Sequence, residues 1–403
     1  MSDKSGEEQI KNQAHQAVKA PSGPLFDLLK EGQSVWYDNI ARGLIQDGSI
    51  QKLIDESGVR GVTSNPTIFE KAISAGNDYD EQIKELIGQN KTADEVFAAL
   101  AITDIGNTAD LFRPVYDQSN AGDGYVSIEV SPTLANDTAG TIRDAHYFHE
   151  AINRPNVMIK IPATPAGLPA ITEVIGSGIN VNVTLIFSLD AYEEVANAYI
   201  AGLEKLAASG SKPLEKVASV ASFFVSRVDV LVDKLLDAKI AAATDDTQKQ
   251  ELQALKGKAG IANSKLAYER FERIFSTERF KKLAEQGARP QRVLWASTST
   301  KNPKYRDVLY VEELIGPETV DTMPPATVVA FGEHGIVART VDKNVDQAHA
   351  AIDALEKNGI SMKKVTDQLL DEGVKSFADS FSKLLEGVEG KRQKLQKELE
   401  IAR

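Results

Sequence analysis

The sequence predicts an α/β protein folded as a (β/α)8 TIM barrel with additional helices. Three observations predict it. Eight strand-like runs alternate with helical stretches, which is the pattern of βαβ units and a parallel sheet. Polar residues collect at the C-terminal ends of those runs, where barrel proteins build their sites. The chain has 403 residues, enough for a barrel of ~250 residues plus extra helices.

In chain order, the expected strands are Ser34–Tyr37, Arg60–Thr63, Gly124–Val130, Val157–Ile161, Ile179–Ile186, Val217–Phe224, Arg292–Ala296 and Thr319–Thr322. Stretches such as Ala191–Ala208 lie between them, with apolar residues at helical spacing. Gly176-Ser177-Gly178 reads as a helix end before the fifth strand. Two segments exceed a minimal barrel. Residues 240–290 are charged and helical, inserted between strands six and seven, and residues 343–403 read as further helices. From Glu389 onward the chain is rich in Lys, Glu and Gln, which predicts a solvated helical face. Residues 1–22 are polar and read as a mobile arm; residues 23–403 read as one domain.

Composition narrows the function. The net charge of -12 argues against a nucleic-acid or anionic-membrane surface. An acidic protein that binds phosphate must concentrate cations locally. With no cysteine, disulfides and thiolate chemistry are excluded. The N-terminus has no apolar signal-peptide core, and no run of ~18 apolar residues occurs, so a cytoplasmic location is expected. His146 and His149 stand three apart without an HExxH pattern, and neither a GxGxxG nor a Walker loop is present. No metal and no cofactor are expected.

The polar residues at the strand ends are Asp38, Asn65, Ser127, Glu129, Lys160, Asn182, Thr184, Ser222 and Ser297. Strand alternation puts Ser127 with Glu129 on one face of their strand and Asn182 with Thr184 on one face of theirs; if that face points inward, all four line the mouth beside Lys160. Lys160 is the sharpest signal, standing between Ile159 and Ile161. A charged amine is costly to bury, and desolvation favours the neutral form, which can attack a carbonyl. The competing reading is a lysine that snorkels to water. Glu129 suits an acid/base carboxylate or a salt-bridge partner for Lys160. Asp38 equally suits a helix N-cap, and Asn65 before Pro66 equally suits a turn or cap.

The run Gly61-Val62-Thr63-Ser64-Asn65-Pro66-Thr67-Ile68-Phe69 resembles the first signature of the transaldolases. Ile159-Lys160-Ile161-Pro162-Ala163-Thr164-Pro165-Ala166-Gly167-Leu168 resembles their active-site signature. Val126–Val130 and Asn182–Ser188 stand at the family's positions around it. The likeness runs from about Leu25 to beyond Gly335, closest to the longer bacterial transaldolases.

This resemblance implies transfer of a dihydroxyacetone unit from sedoheptulose 7-phosphate to glyceraldehyde 3-phosphate, through a Schiff base. It implies that Lys160 is the nucleophile. Glu129 is implied as an acid/base working through a water held with Thr184, and Asp38 as the group that handles the substrate hydroxyl proton. Asn65 and Asn182 are implied to hold the dihydroxyacetone moiety, with Ser127, Ser222 and Phe224 nearby. Arg227 is implied to grip phosphate beside Ser297. One departure matters: where shorter relatives place a second phosphate-binding arginine, this chain has Ser299, and the nearest cation is Lys301. Arg227 and Lys301 are therefore expected to share the phosphate. The rival readings are a fructose 6-phosphate aldolase and a non-catalytic sugar-phosphate-binding barrel. Oligomeric state is not legible in the sequence.

Overall fold

The structure, a computed structural model, describes residues 22–401. Its sheet is a closed, all-parallel barrel in sequential order: β1 (Gln33–Tyr37), β2 (Val59–Val62), β3 (Tyr125–Glu129), β4 (Val157–Pro162), β5 (Val181–Ile186), β6 (Ser219–Phe224), β7 (Arg292–Ala296) and β8 (Thr319–Met323). All eight expected strands form, with ends shifted by two residues at most. β1 closes on β8 through the pairing Trp36↔Thr322.

The strands carry two apolar sets because their side chains alternate between two faces. Val126, Ile128, Ile159, Ile161, Val181 and Val183 pack outward against the helices. Trp36, Tyr125, Met158, Val220, Leu294 and Val320 fill the barrel interior. Gly61 is required by that filling: a Cβ there would lie 2.6 Å from the Trp36 ring. The interior is thus a packed floor, and a site can open only above it.

The N-terminal end of the barrel is closed by a polar cluster. The Asp123 carboxylate accepts from Ser34 Oγ and from Trp36 Nε1 at 2.9 Å. Arg292 donates to Ser34 Oγ at 2.9 Å and stands 3.5 Å from Asp123.

Between β6 and β7 run four helices, Ser226–Ala242 and, within residues 240–290, Asp246–Ala254, Ala259–Phe275 and Glu278–Ala284. After β8 come Pro325–His334, Val345–Lys357 and a 40-residue helix, Met362–Ile401. The segment from Glu389 onward departs from the expected solvated face. Leu395 is buried, and Lys391 pairs with Asp80 at 2.8 Å while donating to the Ile73 and Gly76 carbonyls. The cause is a mixed helix, in which one apolar stripe docks while the charged remainder faces solvent. The arm expected at the N-terminus lies outside the described residues, Ser22 excepted. Among the described residues no helix is long and apolar enough to cross a membrane.

Candidate active site

Two residues above the apolar floor, the same inward-facing register delivers polar groups. Lys160 follows Met158 on β4, Ser127 and Glu129 follow Tyr125 on β3, and Ser222 follows Val220 on β6. Asp38 lies just beyond β1 and Thr63 just beyond β2. Alternation thus stacks reactive groups on a rigid apolar base, which fixes their positions.

Lys160 is buried, 6% exposed, and does not snorkel. Its Nζ donates to the Ser64 carbonyl at 2.9 Å and stands 3.6 Å from Glu129 Oε2. That Glu129 oxygen is buried and accepts no hydrogen bond. Burial pushes the Glu129 carboxyl above its ordinary range, against the pull of Lys160. Asp38 is also raised by burial, opposed by a hydrogen bond from Thr63 Oγ1 at 2.7 Å and by Lys160. Thr63 Oγ1 also lies 2.6 Å from Thr322 Oγ1. One amine therefore shares the site with two carboxyl groups that burial raises, an arrangement suited to acid/base work.

Below them runs a hydrogen-bond chain of three side chains. Ser222 Oγ donates to Asn182 Oδ1 at 2.7 Å, and Asn182 Nδ2 donates to Ser127 Oγ at 3.1 Å. All three residues are buried. Asn65 both caps the helix Pro66–Ser74, accepting from Ile68 N at 3.0 Å, and lines the cavity. Asp38 caps no helix; the next one begins at Arg42 with Ala41 before it.

The mouth opens into a cavity of about 1000 Å³ including its solvent-facing part. Asp38, Asn65, Lys160, Thr184, Ser222 and Phe224 line it, with Arg227, Ser297 and Lys301 on one side. Arg227 makes no hydrogen bond or ion pair among the described residues; its guanidinium lies 5.2 Å from the Phe224 ring. Lys301 Nζ donates to Ser299 Oγ at 2.7 Å. Ser297 adopts φ +59, a left-handed conformation that a serine reaches at a cost. Its carbonyl accepts from Ser226 N at 3.1 Å, so the β7 loop is tied to the helix that carries Arg227. Two cations at one rim suit a phosphate dianion.

A second cavity, about 670 Å³, lies beside Glu129. It is walled by Phe69, Phe97, Phe148 and Phe381 and holds neither the lysine nor a cation, so it lacks the means for this chemistry.

The structure brings ten of the residues singled out in the sequence to the cavity or against Lys160, and sets Ser127 and Asn182 beneath. It adds Thr63, Lys71, Thr322, Ser376 and Phe377. Thr63 and Thr322 obey the strand-end rule and could have been found by it. Ser376 and Phe377 belong to the C-terminal helix and carry no local signal.

Residues 35–388 match the family model described as Transaldolase/Fructose-6-phosphate aldolase. The chain is 47% identical to the transaldolase of Trichodesmium erythraeum over 373 residues, covering 92% of this chain and 98% of that one. It is 51% identical to transaldolase 1 of Streptomyces avermitilis over 362 residues, covering 90% and 93%. It is 49% identical to the transaldolase of an Arthrobacter species over 368 residues, covering 91% and 97%. With a barrel, a buried lysine beside a buried carboxyl and likeness over almost the whole length, the chain belongs to the transaldolase/fructose-6-phosphate aldolase family.

Proposed function

We infer that this chain is a transaldolase, a transferase that moves a dihydroxyacetone unit between sugar phosphates through an imine on Lys160. The observation that carries the reading is the buried Lys160 amine, 3.6 Å from Glu129, in a cavity whose far rim holds Arg227 and Lys301.

The steps follow from the chemistry of those groups. Lys160 Nζ attacks the C2 carbonyl of a ketose phosphate such as sedoheptulose 7-phosphate. Glu129, through a water shared with Thr184, moves the protons as the carbinolamine loses water. The resulting iminium is an electron sink. Asp38 removes the C4 hydroxyl proton, the C3–C4 bond breaks, and its electron pair moves toward nitrogen as an enamine. The aldose phosphate leaves. A second aldehyde, glyceraldehyde 3-phosphate, is attacked by the enamine carbon, and the steps reverse to release fructose 6-phosphate. Asn65 orients the three-carbon unit from the cavity wall and Asn182 does so through Ser222; Arg227, Ser297 and Lys301 hold phosphate. We place the reaction in the cytoplasm, in keeping with the acidic, cysteine-free chain.

The test is borohydride added with fructose 6-phosphate. A three-carbon adduct should map to Lys160, and an adduct on any other lysine would falsify the assignment. The family description also names fructose-6-phosphate aldolase. Fast release of free dihydroxyacetone without an acceptor aldehyde would favour that activity; slow release, with rapid turnover once erythrose 4-phosphate is added, favours transfer.

A further inference from the structure

The Lys160 nitrogen faces one aromatic ring that no barrel strand supplies. Phe377, on the helix Met362–Ile401, has its ring centre 5.9 Å from Lys160 Nζ. It lines the site cavity, and also a small apolar gap shared with Glu129, Pro162, Leu185 and Val374. We propose that Phe377 determines whether the three-carbon unit held on Lys160 is transferred or lost to water. This rests on the imine reading above.

The ring's position is set from both sides. One turn earlier, Gly373 lets the helix come so close that a Cβ there would lie 3.0 Å from Leu185 Cδ2. Leu185 itself has φ +61, at a break in the β5–β6 register, and it joins Met362, Val365 and Leu369 in one apolar cluster. A bulge in β5 therefore turns a leucine toward the helix. One turn later, Phe381 packs edge-on against Phe97 at 5.6 Å, and Phe97 does the same against Phe69. The helix is anchored on either side of Phe377, by Gly373 and by Phe381, and Phe377 packs one edge on the same apolar cluster. Phe377 is only partly buried and spends its ring on the cavity.

The chemistry gives that ring a task. The enamine has two fates. In transfer, its carbon attacks an aldehyde. In loss, the same carbon takes a proton from water, the iminium reforms, and a second water adds at C2. The carbinolamine then releases dihydroxyacetone and the Lys160 amine. Both fates end with water adding at C2, but only loss needs a water that protonates the enamine carbon before an aldehyde reaches it. An apolar ring in the cavity beside Lys160 denies that protonating water its place.

The measurement is the rate of dihydroxyacetone release without acceptor, divided by the rate of transfer to erythrose 4-phosphate. Phe377→Ser should raise that ratio roughly tenfold or more, as a barrier change of about 1.4 kcal/mol would. Phe377→Leu, which restores an apolar cover, should bring it most of the way back. An unchanged ratio in Phe377→Ser, including one in which both rates fall together, overturns the proposal and marks the ring as packing. Phe377→Ala serves the same ratio if the serine variant does not fold. Borohydride trapping on the unaltered enzyme separates the two layers: its failure removes the imine reading, whereas intact trapping with an unchanged ratio removes only the role of Phe377.

Discussion

At one end of the barrel, Asp123 receives a serine hydroxyl and an indole N–H and faces Arg292. At the other end, Lys160 has one carbonyl and a carboxylate oxygen that accepts no hydrogen bond, while Arg227 has no polar partner among the described residues. Both clusters sit on the same packed floor. The lower one is paired off, and paired buried charge is inert. The upper one is left with unused donors and acceptors, which cost stability and remain available to a substrate. Within one barrel, the degree of satisfaction distinguishes architecture from chemistry.

Substitutions at the two ends should then fail in opposite ways. Glu129→Gln should lower kcat by ~10²–10⁴-fold, the usual weight of a positioned acid/base. Its unfolding free energy should fall by less than that of Asp123→Ala, since Glu129 Oε2 accepts no hydrogen bond and its pairing with Lys160 is long, 3.6 Å. Transfer assays and urea titrations measure both, and a large stability loss with modest catalytic damage would break the comparison. Asp123→Ala should do the reverse. It leaves Arg292 and the Trp36 N–H without their acceptor, costing about 3–5 kcal/mol. The kcat per folded molecule should stay close to that of the unaltered protein; a kcat that fell with stability would mean the two ends are coupled.

A third carboxyl sharpens the rule. Asp321 is fully buried on β8, with one oxygen bonded by Thr298 Oγ1 at 2.9 Å and the other unpartnered. Burial lifts its pKa from 3.8 to about 7. The folded protein therefore keeps a proton that the unfolded chain has lost between those values. The associated stability is fully present below about 3.8 and is lost as pH rises through about 7. Asp321→Asn cannot ionise, so its stability relative to the unaltered protein should rise across that window, by roughly 4 kcal/mol in all and about 3 kcal/mol between pH 5 and pH 8. Urea titrations at pH 5 and pH 8 read the difference, and a pH-independent gap would refute it. The smallest effects belong to the phosphate rim. Arg227→Met should cost more than Lys301→Met in kcat/KM, each by ~1.5–3 kcal/mol, and only with phosphorylated acceptors. An equal loss with unphosphorylated glyceraldehyde would remove that residue from the phosphate site.

The contrast also explains what the sequence could reveal. Strand alternation and the apolar surroundings of Lys160 are local, so the barrel and its central lysine were legible without coordinates. The Ser222–Asn182–Ser127 chain joins three strands, and only the barrel register makes those residues neighbours. Asp38 and Asn65 each allowed a capping role. Geometry assigned that role to Asn65 alone, because Asp38 lies short of the helix start at Arg42. Phe377 is more than 200 residues from Lys160 and stands in a helix whose charges advertise solvent. Proximity of that kind has no periodicity to betray it.

The helix Met362–Ile401 gives the protein a sequence of assembly as well as a shape. It is about 60 Å long at 1.5 Å per residue, and it follows the last barrel strand. During synthesis the barrel's eight strands leave the ribosome first. At ~5–20 residues per second, the ~80 residues after β8 take several seconds more. Through that interval a nascent barrel can close around Lys160 with nothing over it. On the imine reading proposed above, the Lys160 amine is then open to any sugar aldehyde or ketone that diffuses in. The newborn chain thus passes through a promiscuous infancy, which ends when Gly373 seats against Leu185 and the ring of Phe377 comes down.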